Sequence, residues 1–276
     1  RMISKAQEIF ENDIVVDSYT DNKGLIANIR SYAVFDYLKA KLKGTNDDDG
    51  YAISADVLSA TQFGAPQKRM RFIVMGIRKD ITDEVKLPEG KFKDGPYRTV
   101  ADAIKDLEDV EPVYNVSDDK NGIKLQVKTD LSDLAQTLRD SKILHNHIIT
   151  KTTPTAMERF KALDQGQNFH SLSDEMKTNT YTDITRTQNT IYLRLKYDEP
   201  SGTVVNVRKS MWVHPTKDRA VSIREAARLQ TFPDSFVFCG TKDKQYQQVG
   251  NAVPPIMAKA IAKKLASQLN KALSKK

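Results

Sequence analysis

Hydrophobic and polar positions alternate most clearly over residues 51–57, as expected for a β-strand with one apolar side. A loop over residues 61–68 follows. Residues 72–77 then form an almost unbroken apolar run, which is typical of a strand buried on both faces. Upstream, apolar residues recur near helical spacing over residues 2–11 and 25–43, which predicts two helices. Helix, strand, loop and buried strand together predict the edge of an α/β sheet.

The rest of the chain changes character twice. Residues 80–215 are polar and weakly periodic, which predicts a smaller, loop-rich domain with short β-like pieces. Regular patterning returns at Ser222, which forms a capping box with Glu225 three residues later and predicts the start of a helix. A turn-rich segment follows, and the dipeptide Pro254-Pro255 opens an apolar stripe that predicts a last helix. The β-like pieces are residues 122–127, 190–195 and 203–207.

Charge favours a nucleic-acid partner without requiring one. The 276 residues include 43 Lys and Arg and 36 Asp and Glu, a formal net charge of +7. Such an excess favours a polyanionic partner, although lysine-rich helices of an ordinary soluble protein would give the same total. The single cysteine, Cys239, excludes an internal disulfide or a paired-cysteine metal site. No run approaches the ~18 apolar residues of a membrane span. We therefore expect a soluble, cytoplasmic protein.

The segment FGAPQKRMRF, residues 63–72, carries the first candidate chemistry. It places Gln67, Arg69 and Arg71 on alternate positions just before the apolar run. Alternate residues of an extended segment point the same way, so one amide and two guanidinium groups are expected to share one side of the chain. That set suits a planar, anionic or carbonyl-bearing ligand. The alternative is that both arginines pair with acidic side chains at the start of a strand.

Three blocks of the sequence resemble, in the same order, blocks of the cytosine-5 DNA methyltransferases. GAPQKRMRFIVMGIR resembles the block with a Gln-x-Arg-x-Arg signature, and SIREAARLQTFPDSFVF resembles the block with the core Arg-Glu-x-Ala-Arg-Leu-Gln-x-Phe-Pro-Asp. YQQVGNAVPPIMAKAIA resembles the last block, built on Gln-x-x-Gly-Asn-x-Val-Pro. RLKYDEPSGTVVNVRKSMWVHP is also similar to the family. The match covers roughly residues 50–80 and 190–270, and the family places its variable target-recognition region between the first two blocks.

The resemblance implies a fold, a domain order and an activity. The fold is α/β, namely the C-terminal part of a Rossmann-like S-adenosylmethionine-dependent methyltransferase sheet plus a smaller, loop-rich, β-containing target-recognition domain. Residues 1–80 would end the catalytic α/β domain, residues 81–244 would form the target-recognition domain, and residues 245–276 would return as a helix to the catalytic domain. The activity would be transfer of a methyl group from S-adenosylmethionine to C5 of a flipped cytosine in a specific duplex DNA sequence, as in restriction-modification.

Three motifs of the family do not occur in the 276 residues. They are the Phe-x-Gly-x-Gly type loop for S-adenosylmethionine, the Pro-Cys nucleophile loop and the Glu-Asn-Val acid motif. Cys239 lies between Phe238 and Gly240, which is the wrong context for the nucleophile. We therefore expect a fragment, a subunit of a split enzyme or part of a larger protein, inactive alone. Its partners would be double-stranded DNA and the missing N-terminal half. The alternative is a non-catalytic DNA-binding specificity subunit or remnant.

The resemblance also assigns candidate site residues. Arg71 would contact the O2 atom of the target cytosine and a phosphate, while Arg69 and Gln67 would support that loop or grip the DNA backbone. The cofactor-binding residues would be Asn251, Ala252 and Val253, which line the S-adenosylmethionine pocket beside its amino-acid end, with Asn251 in a turn before the last helix. The residues expected to contact DNA are Arg69, Arg71, Arg186, Arg208 and Lys209.

Two other groups are not assigned to the chemistry. Arg224, Glu225, Arg228 and Gln230 are expected to act structurally, by organising the target-recognition domain against the sheet. His145 and His147 form a His-x-His pair that lacks further ligands at suitable spacing, so we expect no metal.

Overall fold

The computed structural model describes residues 15–21, 24–29, 34–42, 50–177 and 187–274. The helix predicted over residues 2–11 lies outside them. The chain divides into two compact units, of which unit 1 contains residues 1–54, 75–86 and 269–276, and unit 2 contains residues 55–74 and 87–268. All three sequence blocks contribute their motif residues to unit 2. The division at residues 80/81 and 244/245 that the resemblance implies stays a prediction.

The first described elements correct the helix predicted over residues 25–43. Strand β1 (Val15–Asp21) pairs antiparallel with strand β2 (Gly24–Ile29), and helix α1 (Val34–Leu42) follows. Only the second half of the prediction is therefore helical. The apolar residues Ile26 and Ile29 fit a helical stripe, but β-branched side chains also favour strands, and pairing with β1 satisfies their backbone groups.

Strand β3 (Tyr51–Ser59) and strand β4 (Met70–Arg78) form a two-stranded sheet and confirm both strand predictions. The expectation that the apolar run is buried on both faces is wrong. Leu58 and Ile73 pack on a buried cluster, whereas Phe72, on the opposite side, is 50% exposed. Val57 and Met70 alternate with the packed residues in the same way and are 49% and 55% exposed. One side of the sheet therefore presents apolar side chains at the surface.

The middle of the chain consists of short elements joined by loops. Strands β5 (Ile123–Lys124) and β6 (Ile143–Leu144) pair antiparallel, and β5 uses two of the residues predicted as β-like at 122–127. The other predicted pieces contain no strand, although Arg194 forms an isolated bridge with Val213. The elements are α2 (Val100–Ile104), β5 (Ile123–Lys124), α3 (Asp133–Leu138), β6 (Ile143–Leu144), α4 (Pro154–Lys161), α5 (Asp174–Lys177) and α6 (Val207–Ser210).

Three further helices follow among the described residues. Helix α7 (Ile223–Leu229) begins at the predicted capping box, because Ser222 Oγ accepts from the Glu225 N–H and the Glu225 carboxylate accepts from the Ser222 N–H at 2.8 Å. Helix α9 (Pro255–Leu273) confirms the last predicted helix. Between them lies helix α8 (Lys242–Asn251), where the sequence predicted only turns. Its sequence is so polar that the apolar period hardly shows.

The largest buried cluster joins these helices to the middle of the chain. Trp212, Tyr246 and Val249 are among its fully buried members, together with apolar residues of α2, α3 and α7. A smaller cluster packs Met257 of α9 against Ala60, Phe63 and Ala65 of the β3–β4 connection. None of the helices in the described part of the chain combines the length and apolar content that crossing a membrane requires.

A buried ion network fixes the start of α7. Arg219 donates two hydrogen bonds to the Glu225 carboxylate, at 2.9 and 2.7 Å, and His214 Nε2 lies 3.6 Å from the same carboxylate. Burial alone would raise the pKa of Glu225, but the charge and hydrogen bonds of Arg219 lower it well below its usual range. Burial lowers the pKa of His214 to about 4, so this imidazole is neutral at pH 7.

Lowering the pH from 7 towards 4 is expected to reduce the free energy of unfolding. The folded-state pKa of His214 lies below its ordinary value of 6.5, so the unfolded chain binds the proton more tightly. The contribution is fully present above pH ~6.5 and falls by about 3 kcal/mol as the pH approaches 4. The loss at Glu225, whose folded-state pKa is depressed, begins only below its ordinary value of about 4.5.

Urea unfolding at several pH values measures this dependence. The variant His214→Gln should reduce the slope between pH 6.5 and 4, with the buried His147, whose pKa burial also lowers, supplying the remainder. The partly exposed His170 gives the matched control His170→Gln. Equal slopes in His214→Gln and in the wild-type chain would contradict the assignment.

Candidate functional site

The side-chain amide of Gln67 joins two segments that lie far from it in sequence. Its Nε2 donates to the Leu229 carbonyl oxygen at 3.0 Å and to Gln230 Oε1 at 2.7 Å, and its Oε1 accepts from the Val204 N–H at 3.2 Å. Gln67 is fully buried. Because the second sequence block supplies Leu229 and Gln230, one amide links the first block to the second.

Gln230 extends this connection to the third block. Its Nε2 donates to the Val249 carbonyl oxygen in α8 at 2.7 Å, while its Oε1 accepts from Gln67. Both amides are therefore satisfied in one directed chain from Gln67 through Gln230 to Val249. Buried amides that satisfy each other in this way specify one arrangement of the segments that carry them.

Arg69 makes the second connection between the blocks. Its Nη1 donates to the Val204 carbonyl oxygen at 2.8 Å, and its Nη2 donates to those of Gly250 at 3.0 Å and Ala252 at 2.9 Å. The residue is 1% exposed. Burial, together with the charge of Arg71, lowers the pKa of Arg69 to about 10, so the guanidinium stays charged at neutral pH. The buried positive charge of Arg69 is thus bound by three backbone carbonyl oxygens.

Gly250 lets α8 approach the segment that precedes α6. A Cβ atom at this position would lie 2.6 Å from the Val205 carbonyl carbon, 2.7 Å from its oxygen and 3.1 Å from the Asn206 nitrogen. Backbone cannot yield as the end of a flexible side chain can, so only glycine allows this contact. Arg69 also binds both segments, through the carbonyl oxygens of Val204 and Gly250.

Arg71 differs from its neighbours in the motif. Its guanidinium is partly exposed, and its Nη1 donates to the adjacent Met70 carbonyl oxygen at 2.7 Å. Gln67 and Arg69 direct their donors to protein atoms, so direct contact of either with a ligand stays a prediction. In the described part of the chain, the hydrogen bonds of both arginines go to carbonyl oxygens and not to the acidic side chains of the alternative interpretation.

The residues expected to be structural are buried and bonded to protein atoms. Arg228 donates to both carboxylate oxygens of Asp234, at 2.9 and 2.5 Å, and to Asp106 at 2.5 Å. Arg224 instead donates to backbone carbonyls, those of His145 at 2.8 Å, Pro233 at 3.0 Å and Phe236 at 2.7 Å. These bonds hold the second block in place, and both guanidinium groups are buried.

The predicted cofactor residues lie where α8 ends. Asn251 and Val253 are exposed, and Ala252 is half-buried with its carbonyl oxygen bound to Arg69. Asn251 is the last residue of α8, so its placement in a turn is corrected. An exposed amide and an exposed apolar side chain beside the Gly250 contact fit a ligand that has both a polar and an apolar part.

The predicted DNA contacts are in different situations. Arg208 pairs with Asp243, and this bond raises the pKa of Arg208. Lys209 is exposed and lines, with Asn251, a concavity of about 470 Å³. Arg186 lies outside the described residues.

The His-x-His pair is engaged by protein atoms. His147 is buried, with Nδ1 2.9 Å from Ser222 Oγ and Nε2 2.9 Å from the Val110 carbonyl oxygen. His145 Nδ1 lies 3.2 Å from the Asp119 carbonyl oxygen. In the described ranges, no group of three or more His, Cys, Asp and Glu side chains is arranged to hold a metal ion.

Sequence reasoning missed Val205, Asn206 and Lys244, which line the same concavity as Lys209. The sequence offers only a local signal for Val205 and Asn206, namely an asparagine at the end of a run of β-branched residues. Nothing in the periodicity relates that run to α8, because the contact depends on the close approach at Gly250.

Gly250→Ala is expected to lower the free energy of unfolding by about 2 kcal/mol, because the added Cβ atom must push α8 from Val205. Alanine favours a helix over glycine by about 1 kcal/mol, so a net loss reports the steric clash itself. Gly202→Ala is the matched control, since the nearest atom to its Cβ would be Trp212 Cζ2 at 3.9 Å. Urea unfolding measures both variants, and a stabilised Gly250→Ala would contradict the close approach.

Known proteins resemble this chain over most of its length. The type II methyltransferase M.DdeI of Desulfomicrobium norvegicum is 27% identical over 244 residues, which are 83% of this chain and 58% of that protein. The type II methyltransferase M.AquIB of Picosynechococcus is 36% identical over 143 residues, which are 47% of this chain and 94% of that protein. The chain thus spans little more than half of M.DdeI but includes the counterpart of nearly all of M.AquIB.

One solved structure has a similar fold. It is that of a protein of E. coli, encoded within a prophage and described as a DNA modification methyltransferase, with a TM-score of 0.62 at 24% identity. The alignment covers 85% of this chain and 65% of that protein, and it supports a mixed α/β fold. The family model described as C-5 cytosine-specific DNA methylase matches residues 26–267, and this chain therefore belongs to that family.

Proposed function

We propose that this chain is the target-recognising part of a DNA cytosine-5 methyltransferase. The complete enzyme transfers a methyl group from S-adenosylmethionine to C5 of a cytosine flipped out of a specific duplex sequence. The observation that carries the proposal is the junction of the three blocks. Gln67 and Arg69 join them inside the protein, so that Arg71 and Asn251 reach the surface from a single rigid base.

The chemistry explains why an exposed guanidinium matters. C5 of cytosine is a poor nucleophile until a thiolate adds to C6, and negative charge then develops towards N3 and O2 of the ring. Arg71 offers O2 a cation that stays protonated and a planar set of donors. Arg69 adds a second positive charge close by, since burial and the charge of Arg71 together lower the pKa of Arg69 to about 10. A fixed charge beside the developing one lowers the barrier without reorganisation.

Methyltransferases of this family use S-adenosylmethionine, which supplies the methyl group. In this chain the exposed amide of Asn251 would bind the amino-acid end of the cofactor, and Val253 would provide an apolar contact. The bond from Arg69 to the Ala252 carbonyl keeps the segment between them in one conformation. Asn251 and Val253 are thereby oriented before the cofactor binds.

The nucleophile and the principal cofactor loop come from residues other than these 276. The sequence contains no Pro-Cys dipeptide and no Glu-Asn-Val motif, and it spans 58% of M.DdeI. This chain matches nearly the whole of M.AquIB, a type II methyltransferase. We propose that a complementary N-terminal half, in the same polypeptide or a separate one, completes the enzyme in the cytoplasm.

Reconstitution tests this proposal. The chain is combined with a methyltransferase segment that carries the three absent motifs, and transfer of labelled methyl groups from S-adenosylmethionine to duplex DNA is measured. We expect incorporation at C5 of cytosine in a defined sequence. Salt-dependent DNA binding without incorporation on any duplex would reject the enzymatic proposal and favour a non-catalytic specificity subunit.

Arg71→Ala in the reconstituted enzyme should lower kcat about 100- to 1,000-fold while changing the Kd for DNA less than about threefold, because Arg71 acts on charge that develops during the reaction. Arg71→Lys should restore part of the lost rate. The control is Arg78→Ala at the other end of β4, where Arg78 pairs with Asp80 at the surface. An unchanged kcat in Arg71→Ala would remove Arg71 from this role.

A further inference from the structure

We propose that the concavity between α6 and α8 binds one nucleotide unit of a DNA strand through its phosphate and its base. This inference rests on the proposed function and assigns it a subsite. The concavity has a volume of about 470 Å³ and lies beside Asn251. The proposal depends on its rigid floor, on the charge of its rim and on one buried acceptor without a partner.

The floor of the concavity is held in place by two residues. Gly250 brings the backbone of α8 into contact with Val205 and Asn206. Arg69 clamps both segments through the carbonyl oxygens of Val204 and Gly250. A ligand therefore meets a surface that is formed before binding, and little ordering cost is added.

The rim carries positive charge from both helices. Lys209 and Lys244 line the concavity, both are exposed, and the described residues offer neither an ion pair within 4.0 Å. Asp243 also lines it, but its carboxylate is bound by Arg208, whose cation offsets the charge. The net charge of these four side chains is positive, which suits a phosphate.

The lining of the concavity includes a hydrogen-bond acceptor that a ligand could use. Asn206 Oδ1 is buried and has no hydrogen-bond partner in the described part of the chain. A buried acceptor left unpaired is unfavourable, so a ligand that donates a hydrogen bond to it binds more tightly. Val205 is 45% exposed and adds an apolar surface beside it. A nucleotide meets these requirements together, with a phosphate for the lysines, a sugar or base face for Val205 and a base amine for Asn206.

The same features argue against the methyl donor as the occupant. S-adenosylmethionine carries a sulfonium and an ammonium group against one carboxylate, so its net charge is positive. The lysines at the rim repel such a molecule. We therefore place the cofactor on the exposed Val253 side of Asn251 and the DNA strand on the side of Lys209.

Binding of a labelled duplex to the isolated full chain tests the subsite, by fluorescence anisotropy at several salt concentrations. In the double variant Lys209→Gln/Lys244→Gln we expect about tenfold weaker binding near 0.1 M salt and a slope of log affinity against log salt that is smaller by about 1–2. The control double variant, Lys259→Gln/Lys263→Gln, removes the same charge from the exposed face of α9 and should bind as the wild type does.

Asn206→Ala provides the second arm. It should weaken binding of the duplex about fivefold and leave the salt slope unchanged, because it removes an uncharged contact. Circular dichroism and urea unfolding check that all variants fold. Cofactor affinity, measured by calorimetry in the reconstituted enzyme, should not change in the lysine variant.

The outcomes separate this inference from the proposed function. If the wild-type chain binds DNA with a salt-dependent affinity but the Lys209/Lys244 variant binds equally well, the subsite is rejected and the methyltransferase proposal stands. The subsite is also rejected if the α9 control weakens binding as much, or if only cofactor affinity falls. If the wild-type chain shows no affinity for any duplex, DNA recognition by this chain and the subsite are both rejected.

Discussion

The structure of unit 2 depends on a buried polar junction, in which Gln67 and Arg69 bind the backbone of three distant segments, at Val204, Leu229 and Gly250. Polar groups are an unusual choice for the centre of a domain, because each one lost from water must find a partner. Gln67 satisfies both ends of its amide, and Arg69 satisfies two of its three nitrogens with carbonyl oxygens. An apolar core of the same volume is compatible with many packing arrangements, whereas these directional hydrogen bonds are compatible with one arrangement of the segments.

The junction also gives the site its electrostatic character. Arg69 is a buried cation held by carbonyl oxygens, so its charge is solvated by protein but not cancelled by an acidic partner. Arg71, two residues after Arg69, adds a partly exposed cation. Lys209 adds an exposed cation shortly after Val204, whose carbonyl oxygen Arg69 binds. In contrast, the buried arginines of the second block, Arg224 and Arg228, donate to carbonyl and carboxylate oxygens of the protein and stabilise the packing of α7. Arginine thus has two uses here, and burial alone does not distinguish them.

Sequence could predict the elements with a clear period and a local signal. The strands at 51–59 and 70–78, the capping box at Ser222 and the last helix were all predicted, because alternation, a Ser-x-x-Glu pair and a Pro-Pro start are local properties. The helix expected over residues 25–43 was half wrong, since two isoleucines three positions apart fit a strand as well. Helix α8 was missed because its sequence is mostly polar.

For the candidate site, too, the sequence predicts features that depend on local pattern but not those that depend on contacts between distant residues. Family resemblance identified the three blocks, and alternation indicated that Gln67 and Arg69 point the same way. Whether that direction is inward could not be deduced, because their partners lie 135 to 183 residues away. The concavity beside Asn251 also depends on a contact between residues distant in sequence, Gly250 and Val205. No local pattern in the sequence predicts this contact.

The apolar side of the β3–β4 sheet has a consequence for handling the protein. Val57 and Met70 face the surface on a sheet to which the described part of the chain contributes two strands. Exposed apolar side chains on a small sheet favour the addition of another strand, so concentrated solutions of the chain should self-associate and precipitate as salt screens its positive charge. Co-expression with a polypeptide that covers this side is therefore the natural route to soluble material.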